Sequence, residues 1–372
     1  MFSKKQKNEL ITLVVDVGSS SVGAALVSAS KEAQAKVVYS TRLSCPVPDS
    51  AGADRNYYIT AVSQTLEQVM KTVLDQHHPI HGYHIIFSSP WYSSQTNVTR
   101  IDHNSPALIS RHAVEKLVDE SEQKFISESG ANSEVVEHRV IRTKINGYET
   151  ADPYNKKTKS AELTFYVSLI AKDILEAVRR IIEKNFHSRN SEISSFSLAA
   201  FSALASIVPE EKDLLIIDVR GEVTDISVVI DAALMKTSSF PQSKNGLIRT
   251  IASGLGQSPE AALSMIDLAY RGSGDATAEA NVAKFAEAFK QEWLQEYNKT
   301  IQDLSTAFAL PQRIFILADD DVDMFFERVL SETRNYGNLL TLKHLDLQKI
   351  IDPASVPTDP FLALESIFVT IV

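Results

Sequence analysis

Apolar residues along this 372-residue chain fall into two rhythms. The first is a short unbroken run that stops at a polar turn and resumes: Leu13-Val14-Val15-Asp16-Val17, then Gly18-Ser19-Ser20-Ser21, then Val22-Gly23-Ala24-Ala25-Leu26-Val27. Short apolar runs bounded by glycine and serine predict a buried strand, a tight turn and a second strand. Far along the chain the figure returns as Leu214-Leu215-Ile216-Ile217-Asp218-Val219, Arg220-Gly221-Glu222-Val223 and Thr224-Asp225-Ile226-Ser227-Val228-Val229. Two such hairpins predict two similar lobes facing each other across a cleft.

The second rhythm is helical. In 57–76 the apolar positions are Ile59, Val62, Leu66, Val69, Met70 and Val73, and in 171–186 Ile174, Leu175, Val178, Ile181 and Ile182 oppose Lys172, Arg179, Arg180 and Lys184. Spacings of three and four residues put each set on one helix face. By the same reading 199–208, 246–256, 259–270, 278–308, 322–333 and 360–372 are helices, and 36–43, 83–89, 193–196, 234–239, 313–317 and 339–341 are strands. Between 91 and 171 the texture changes: strand 96–101, a helix capped by Ser110 and running to 125, and strands 135–145 and 162–171 around a turn-rich link at 146–159. The expected architecture is α/β and two-lobed. Residues 1–90 and 172–210 form the first core, 91–171 an inserted strand-helix-strand-strand module, 211–245 and 310–372 the second core, and 246–309 a helical subdomain.

Composition narrows the partners. Thirty-seven basic against forty-seven acidic residues give a net charge of −10, with no basic stripe, which argues against a nucleic-acid surface. A single cysteine, Cys45, allows no internal disulfide and fits a reducing compartment. No apolar run reaches the roughly 18–20 residues of a membrane span. Lys4, Lys5 and Lys7 precede an apolar segment that Asp16 interrupts, without a cleavage-site pattern, so a cytoplasmic protein is expected.

Several residues carry candidate chemistry. In the first turn Gly18 permits close approach of a ligand, and successive N–H groups with the hydroxyls of Ser19, Ser20 and Ser21 form a cradle for an anion. Asp16 and Asp218 suit a hydrated Mg²⁺ beside it. The same residues also suit an ordinary hairpin whose aspartates cap strands and turns, and both readings stand. His77, His78, His81 and His84 gather around Pro79 and Gly82, where a solvated turn outweighs a metal site. Asp319-Asp320-Asp321-Val322-Asp323 lacks the spacing and central glycine of a calcium loop. Trp91 and Tyr92, at the start of the module, are either core or a peptide anchor.

Taken together, these motifs resemble the actin-like ATPase superfamily, with its RNase H-like lobes, and within it the FtsA/PilM group of bacterial division and type IV pilus assembly proteins. Asp16–Gly23 matches the phosphate-1 hairpin, Asp218–Ile226 with Thr224-Asp225 the phosphate-2 hairpin, and 91–171 the group's inserted SHS2-type subdomain. Glu137-His138, Gly147, Asp152-Pro153 and Arg249 fall near further landmarks. The resemblance implies ATP and Mg²⁺ as cofactors, held by Asp16, Gly18, Ser19, Ser20, Ser21, Asp218, Gly221, Thr224 and Asp225, with Asp16 and Asp218 on the metal.

The departures cluster on the nucleoside side. The family's glycine turn after the last core strand corresponds to Ala318-Asp319-Asp320-Asp321, its Ala-Glu-x-x-Lys helix to Ala261-Ala262-Leu263-Ser264-Met265, and a later glycine pair to Gln242-Ser243. Arg220 replaces a turn glycine, and its guanidinium is within reach of Asp16 or of the acidic turn. The expectation is therefore a scaffold with weak or absent ATP binding and no placeable catalytic residue. Its implied partners are division or pilus proteins at the inner membrane, with self-association into filaments as a family trait. The chain ends just after the last expected core helix, so membrane contact is expected to run through a partner. The alternative is a working Mg-ATP-dependent switch.

Overall fold

A computed structural model of the chain describes residues 10–28, 34–48, 54–129, 132–150, 152, 154, 156–186, 191–272, 274–335, 338–339, 341–343 and 350–372. In chain order, β1 (Ile11–Val17), β2 (Ser21–Ser28), β3 (Lys36–Ser44), α1 (Arg55–Leu74) and β4 (Ile80–Phe87) lead into β5 (Tyr92–Leu108), α2 (Arg111–Ser129), β6 (Ser133–Ile145), β7 (Tyr148–Glu149) and β8 (Lys157–Ala171). Then come α3 (Lys172–Asn185), β9 (Ser191–Ser195) and α4 (Phe196–Ile207). The second half runs β10 (Leu214–Val219), β11 (Thr224–Ile230), β12 (Ala233–Phe240), α5 (Lys244–Leu255), α6 (Pro259–Tyr270), α7 (Ala276–Ser305), β13 (Arg313–Ala318) and α8 (Asp323–Ser331). It closes with β14 (Arg334–Asn335), β15 (Asn338–Leu339), β16 (Thr341–Lys343) and α9 (Pro360–Ile371).

Two of the sheets are built to one plan. Their strand orders are β3-β2-β1-β4-β9 and β12-β11-β10-β13-β16. In each, the two hairpin pairings are antiparallel, and the first strand then pairs in parallel with a strand reached through a long crossover. Strand side chains alternate faces, which sorts the apolar runs into separate cores. Leu13, Val15 and Val17 meet α1 and α3 through Leu66, Val69, Leu175 and Val178. Val14, Ala25 and Val27 point the other way, onto α4 and α9.

Those two helices also bury Leu214, Ile216 and Phe315 of the second sheet, so one core spans both lobes. Phe196, Phe361 and Phe368 are almost fully buried there. Removal of each from water contributes roughly 1.5–3 kcal/mol. The far face of the second sheet packs on α5, α6, α7 and α8. The helical segment starts cleanly because Ser258 and Asp275 cap α6 and α7 through backbone N–H groups.

The third sheet, β5-β8-β6-β7, lies between β4 and α3 in the chain, with α2 over one face through Phe125, Phe165, Val167 and Leu169. Its first strand is far longer than 96–101. Beyond 101 the extension is mostly polar and exposed, pairing with β8 at Asp102 and again at Ala107 and Leu108, which hydrophobic patterning does not register. The histidine segment also differs from expectation: β4 begins at Ile80 and takes in His81 and His84. His84 is buried, its Nε2 2.9 Å from Ser194 Oγ. Among the described residues no helix is long and apolar enough to cross a membrane.

Candidate functional site

Both sheets end their first strand with the same register. Asp16 faces Gly23 and Val17 faces Val22 in one, while Asp218 faces Asp225 and Val219 faces Thr224 in the other. The two turns that follow meet head to head beneath the lobes. A Cβ built on Gly221 would stand 2.5 Å from Ser20 Cβ and 2.8 Å from Ser19 Oγ, so only glycine fits this approach. The Glu222 N–H donates to Ser19 Oγ at 3.3 Å, a backbone contact between lobes.

Arg220 fills the space that the two aspartates flank. Its Nη1 donates to Asp16 Oδ2 at 2.7 Å and its Nε to Asp218 Oδ1 at 3.0 Å. The guanidinium face lies over the rings of Phe361 at 3.6 Å and Phe196 at 4.2 Å. The edge of the cation thus meets carboxylates and its faces meet aromatic carbon, the arrangement a planar guanidinium suits and an ammonium does not. Arg42 from β3 adds Nη2 to the same Asp16 oxygen at 2.7 Å, and holds Asp359 at the start of α9 through two bonds of 3.0 and 3.1 Å.

The remaining predicted residues are brought into the same centre, each bound by the chain itself. Gly18 N donates to Ser21 O, the Ser20 carbonyl accepts from Cys45 N, and Ser21 Oγ accepts from Arg42 Nη1. Thr224 Oγ1 donates to the Gln242 carbonyl at 2.7 Å and accepts from Trp293 Nε1 at 3.3 Å. Asp225 Oδ2 accepts from Ser89 Oγ at 2.7 Å and from Tyr92 OH at 3.0 Å. Trp91 and Tyr92 are therefore core residues, and Tyr92 ties the first lobe to the second.

Burial and charge set the protonation states. Burial works against ionising Asp16, yet Arg220 and Arg42 outweigh it and hold that carboxyl below its usual range. Burial, reinforced by the Asp225 and Asp16 charges, pushes Asp218 up to about 7 against the pull of Arg220. Asp225 is raised, first by burial. Glu365 on α9 is fully buried, and neither of its carboxyl oxygens has a hydrogen-bond partner among the described residues. Burial and then the neighbouring Asp16 charge raise its pKa well above the ordinary carboxylate value, against the pull of Arg220 and Arg42.

The acidic turn is answered from a second place. Lys244 Nζ sits 2.8 Å from Asp319 Oδ2 and 2.9 Å from Asp321 Oδ2. Burial disfavours the charge on Asp319, but Lys244 and then Arg42 lower its pKa. Arg249 and Asn245 bind Glu222 in the same internal fashion. Among the described residues no cluster of three or more His, Cys, Asp or Glu is arranged to hold a metal ion. As arranged, these residues do not fit a magnesium nucleotide: both strand-end aspartates share Arg220, and the two turns touch where phosphates would pass between them.

Sequence reasoning finds Arg220 but not Arg42, Lys244, Asp359 or Glu365. Glu365 carries a signal, as the sole ionisable residue in the apolar helix Pro360–Ile371. The other three carry none, because their partners lie far away in sequence.

The plan of two equivalent sheets around a shared helical layer, with a strand-helix-strand-strand insert in one lobe and a helical subdomain in the other, is the actin-like two-lobed ATPase fold. Among solved structures, the PilM-PilN type IV pilus biogenesis complex is similar over 98% of this chain and 98% of that one, with a TM-score of 0.66 and 11% sequence identity. The ethanolamine utilization protein EutJ from Carboxydothermus hydrogenoformans matches at a TM-score of 0.48 and 11% identity, over 97% of this chain and 89% of that one. No family model matches the sequence, and no curated protein matches it.

Proposed function

We propose that this protein is an actin-fold scaffold of the FtsA/PilM kind, with weak or absent ATP binding. It acts by holding partner proteins of a bacterial division or pilus assembly machine at the inner membrane. The observation that carries the reading is the Arg220 guanidinium between Asp16 and Asp218, a fixed internal cation where the fold's cofactor would bring its own. Full-length likeness to the PilM-PilN complex supports a pilus-type partner. A groove of about 390 Å³ between the inserted sheet and the first lobe supports partner binding there. Tyr83, Glu137, Arg139, Arg179 and Glu192 are among its lining residues, charges of both signs that suit an extended polar segment.

Isothermal titration with Mg²⁺-ATP tests the first half. No heat at millimolar ligand is expected, and micromolar affinity that disappears with Asp16→Asn rejects the scaffold reading in favour of a switch. Affinity capture from the source cell tests the second half. Recovery of a division or pilus protein that Arg179→Glu abolishes is expected, and recovery of neither class rejects it.

A further inference from the structure

Arg220 joins four elements at the junction of the lobes. It belongs to the second lobe, it binds Asp16 of the first, and it stacks on Phe196 of α4 and Phe361 of α9, the two helices between the sheets. The common register of the sheets brings Asp16, Asp218 and Asp225 together at the lobe junction. Without Arg220 the Asp16 carboxylate keeps only Arg42, and its repulsion from Asp218 and Asp225 across the junction favours an open cleft. Around Arg220 lie further bridges between lobes, from Ser89 and Tyr92 to Asp225 and from Ser19 to the Glu222 amide. Arg142 of the inserted sheet binds the Asp231 carbonyl at 2.8 Å on the β11–β12 turn.

We propose that Arg220 is a built-in latch, a tethered cation that keeps the two lobes shut without nucleotide, metal or partner. The closed arrangement is then the resting state, and the surfaces spanning both lobes are always presented in one geometry. The latch goes beyond the scaffold reading and fails separately from it, because it is measured on the ligand-free protein.

Amide hydrogen exchange on the full chain tests it. In the wild type, the amides of Ser19–Ser21 and Gly221–Thr224 are expected to exchange slowly, with no change on adding Mg²⁺-ATP. Arg220→Met keeps the stacking length and removes the charge, and is expected to speed exchange at both turns by about tenfold or more, while β1 and β10 stay protected. Arg220→Gly removes the charge and the stacking together and is expected to speed exchange at both turns at least as much as Arg220→Met. Exchange in Arg220→Met, or in Arg220→Gly, within about twofold of wild type overturns the latch. Should both variants fail to fold, Asp16→Asn removes the first-lobe anion that the latch grips; unchanged exchange at the two turns then overturns it, and faster exchange supports it. Calorimetric ATP binding to the wild type would defeat the scaffold reading while leaving slow ligand-free exchange, and the latch, in place.

Discussion

His84 makes an acid-sensitivity prediction whose size can be worked out. The ring is buried in β4, packed edge-on against Phe368 with centroids 5.4 Å apart, and bonded to Ser194 Oγ. Burial, helped by the Arg139 charge, lowers its pKa from an ordinary 6.5 to about 3. Glu192 opposes that shift from 3.8 Å, but its side chain is 63% exposed and screened by water, so burial wins. The native state therefore holds the neutral ring while the unfolded chain protonates as the pH drops below 6.5. Stability from this group is complete above that value and is lost as the pH falls from there towards about 3. Between about pH 7 and pH 5 the loss is roughly 2 kcal/mol, and it approaches about 5 kcal/mol only at the lower end. Denaturant titration of wild type and His84→Gln at both pH values checks it, because every other titrating group is common to the two proteins and cancels. The wild type is expected to lose about 2 kcal/mol more than the variant. Equal losses, or a histidine resonance for His84 titrating near 6.5, would refute the reasoning.

Two further predictions address the junction. Gly221→Ala places a methyl group against the Ser20 backbone at a residue of ordinary φ, so its cost is steric: about 1–3 kcal/mol of stability, read by chemical denaturation, with a loss below about 0.5 kcal/mol arguing against the turn contact. Asp16→Asn removes the carboxylate that two guanidinia share and is expected to cost roughly 3–5 kcal/mol in the ligand-free protein. An aspartate retained only for a ligand would behave oppositely, since neutralising one of several crowded acids would leave stability unchanged or raise it.

The lobes are legible in the sequence because each hairpin joins two strands buried on both faces, and such strands read as continuous apolar runs broken only by a turn. Leu13–Val17 and Leu214–Val219 are of this kind, and their repetition with Asp16 and Asp218 at matching places carries the duplication. The helices with a strong apolar face, α1 and α3 above all, are legible for the same reason. What patterning cannot supply is structure held by backbone pairing alone. The far half of β5 has few apolar residues to alternate, and its pairing with β8 is broken between Asp102 and Ala107. The histidines mislead in the opposite direction: four polar residues near a proline and a glycine suggest a solvated turn, yet His84 sits at an inward register position and gives up its charge to stay there.

The candidate centre divides along similar lines, and the division bears on what the repeated hairpin motif means. The Arg220–Asp218 pair lies two positions apart and is local, whereas the Arg220–Asp16 pair spans 204 positions and is legible only once the two hairpins are read as facing each other. Arg42 and Asp359 meet across 317 positions, and Lys244 reaches the acidic turn across 75 and 77, so neither neutralisation leaves a local trace. Without those cations the acidic turn reads as a barrier to nucleotide and the aspartates as a metal site in waiting. With them, Asp16 is consumed by Arg42 and Arg220, and Asp319 and Asp321 by Lys244. An ATP-binding reading has to break that balance and separate Gly221 from Ser20 before a phosphate can enter. A scaffold reading requires neither change. The choice between them rests on which of two energies is larger: what a magnesium nucleotide gains from these aspartates, or what the chain loses when Arg220 and Arg42 are left buried without their anions.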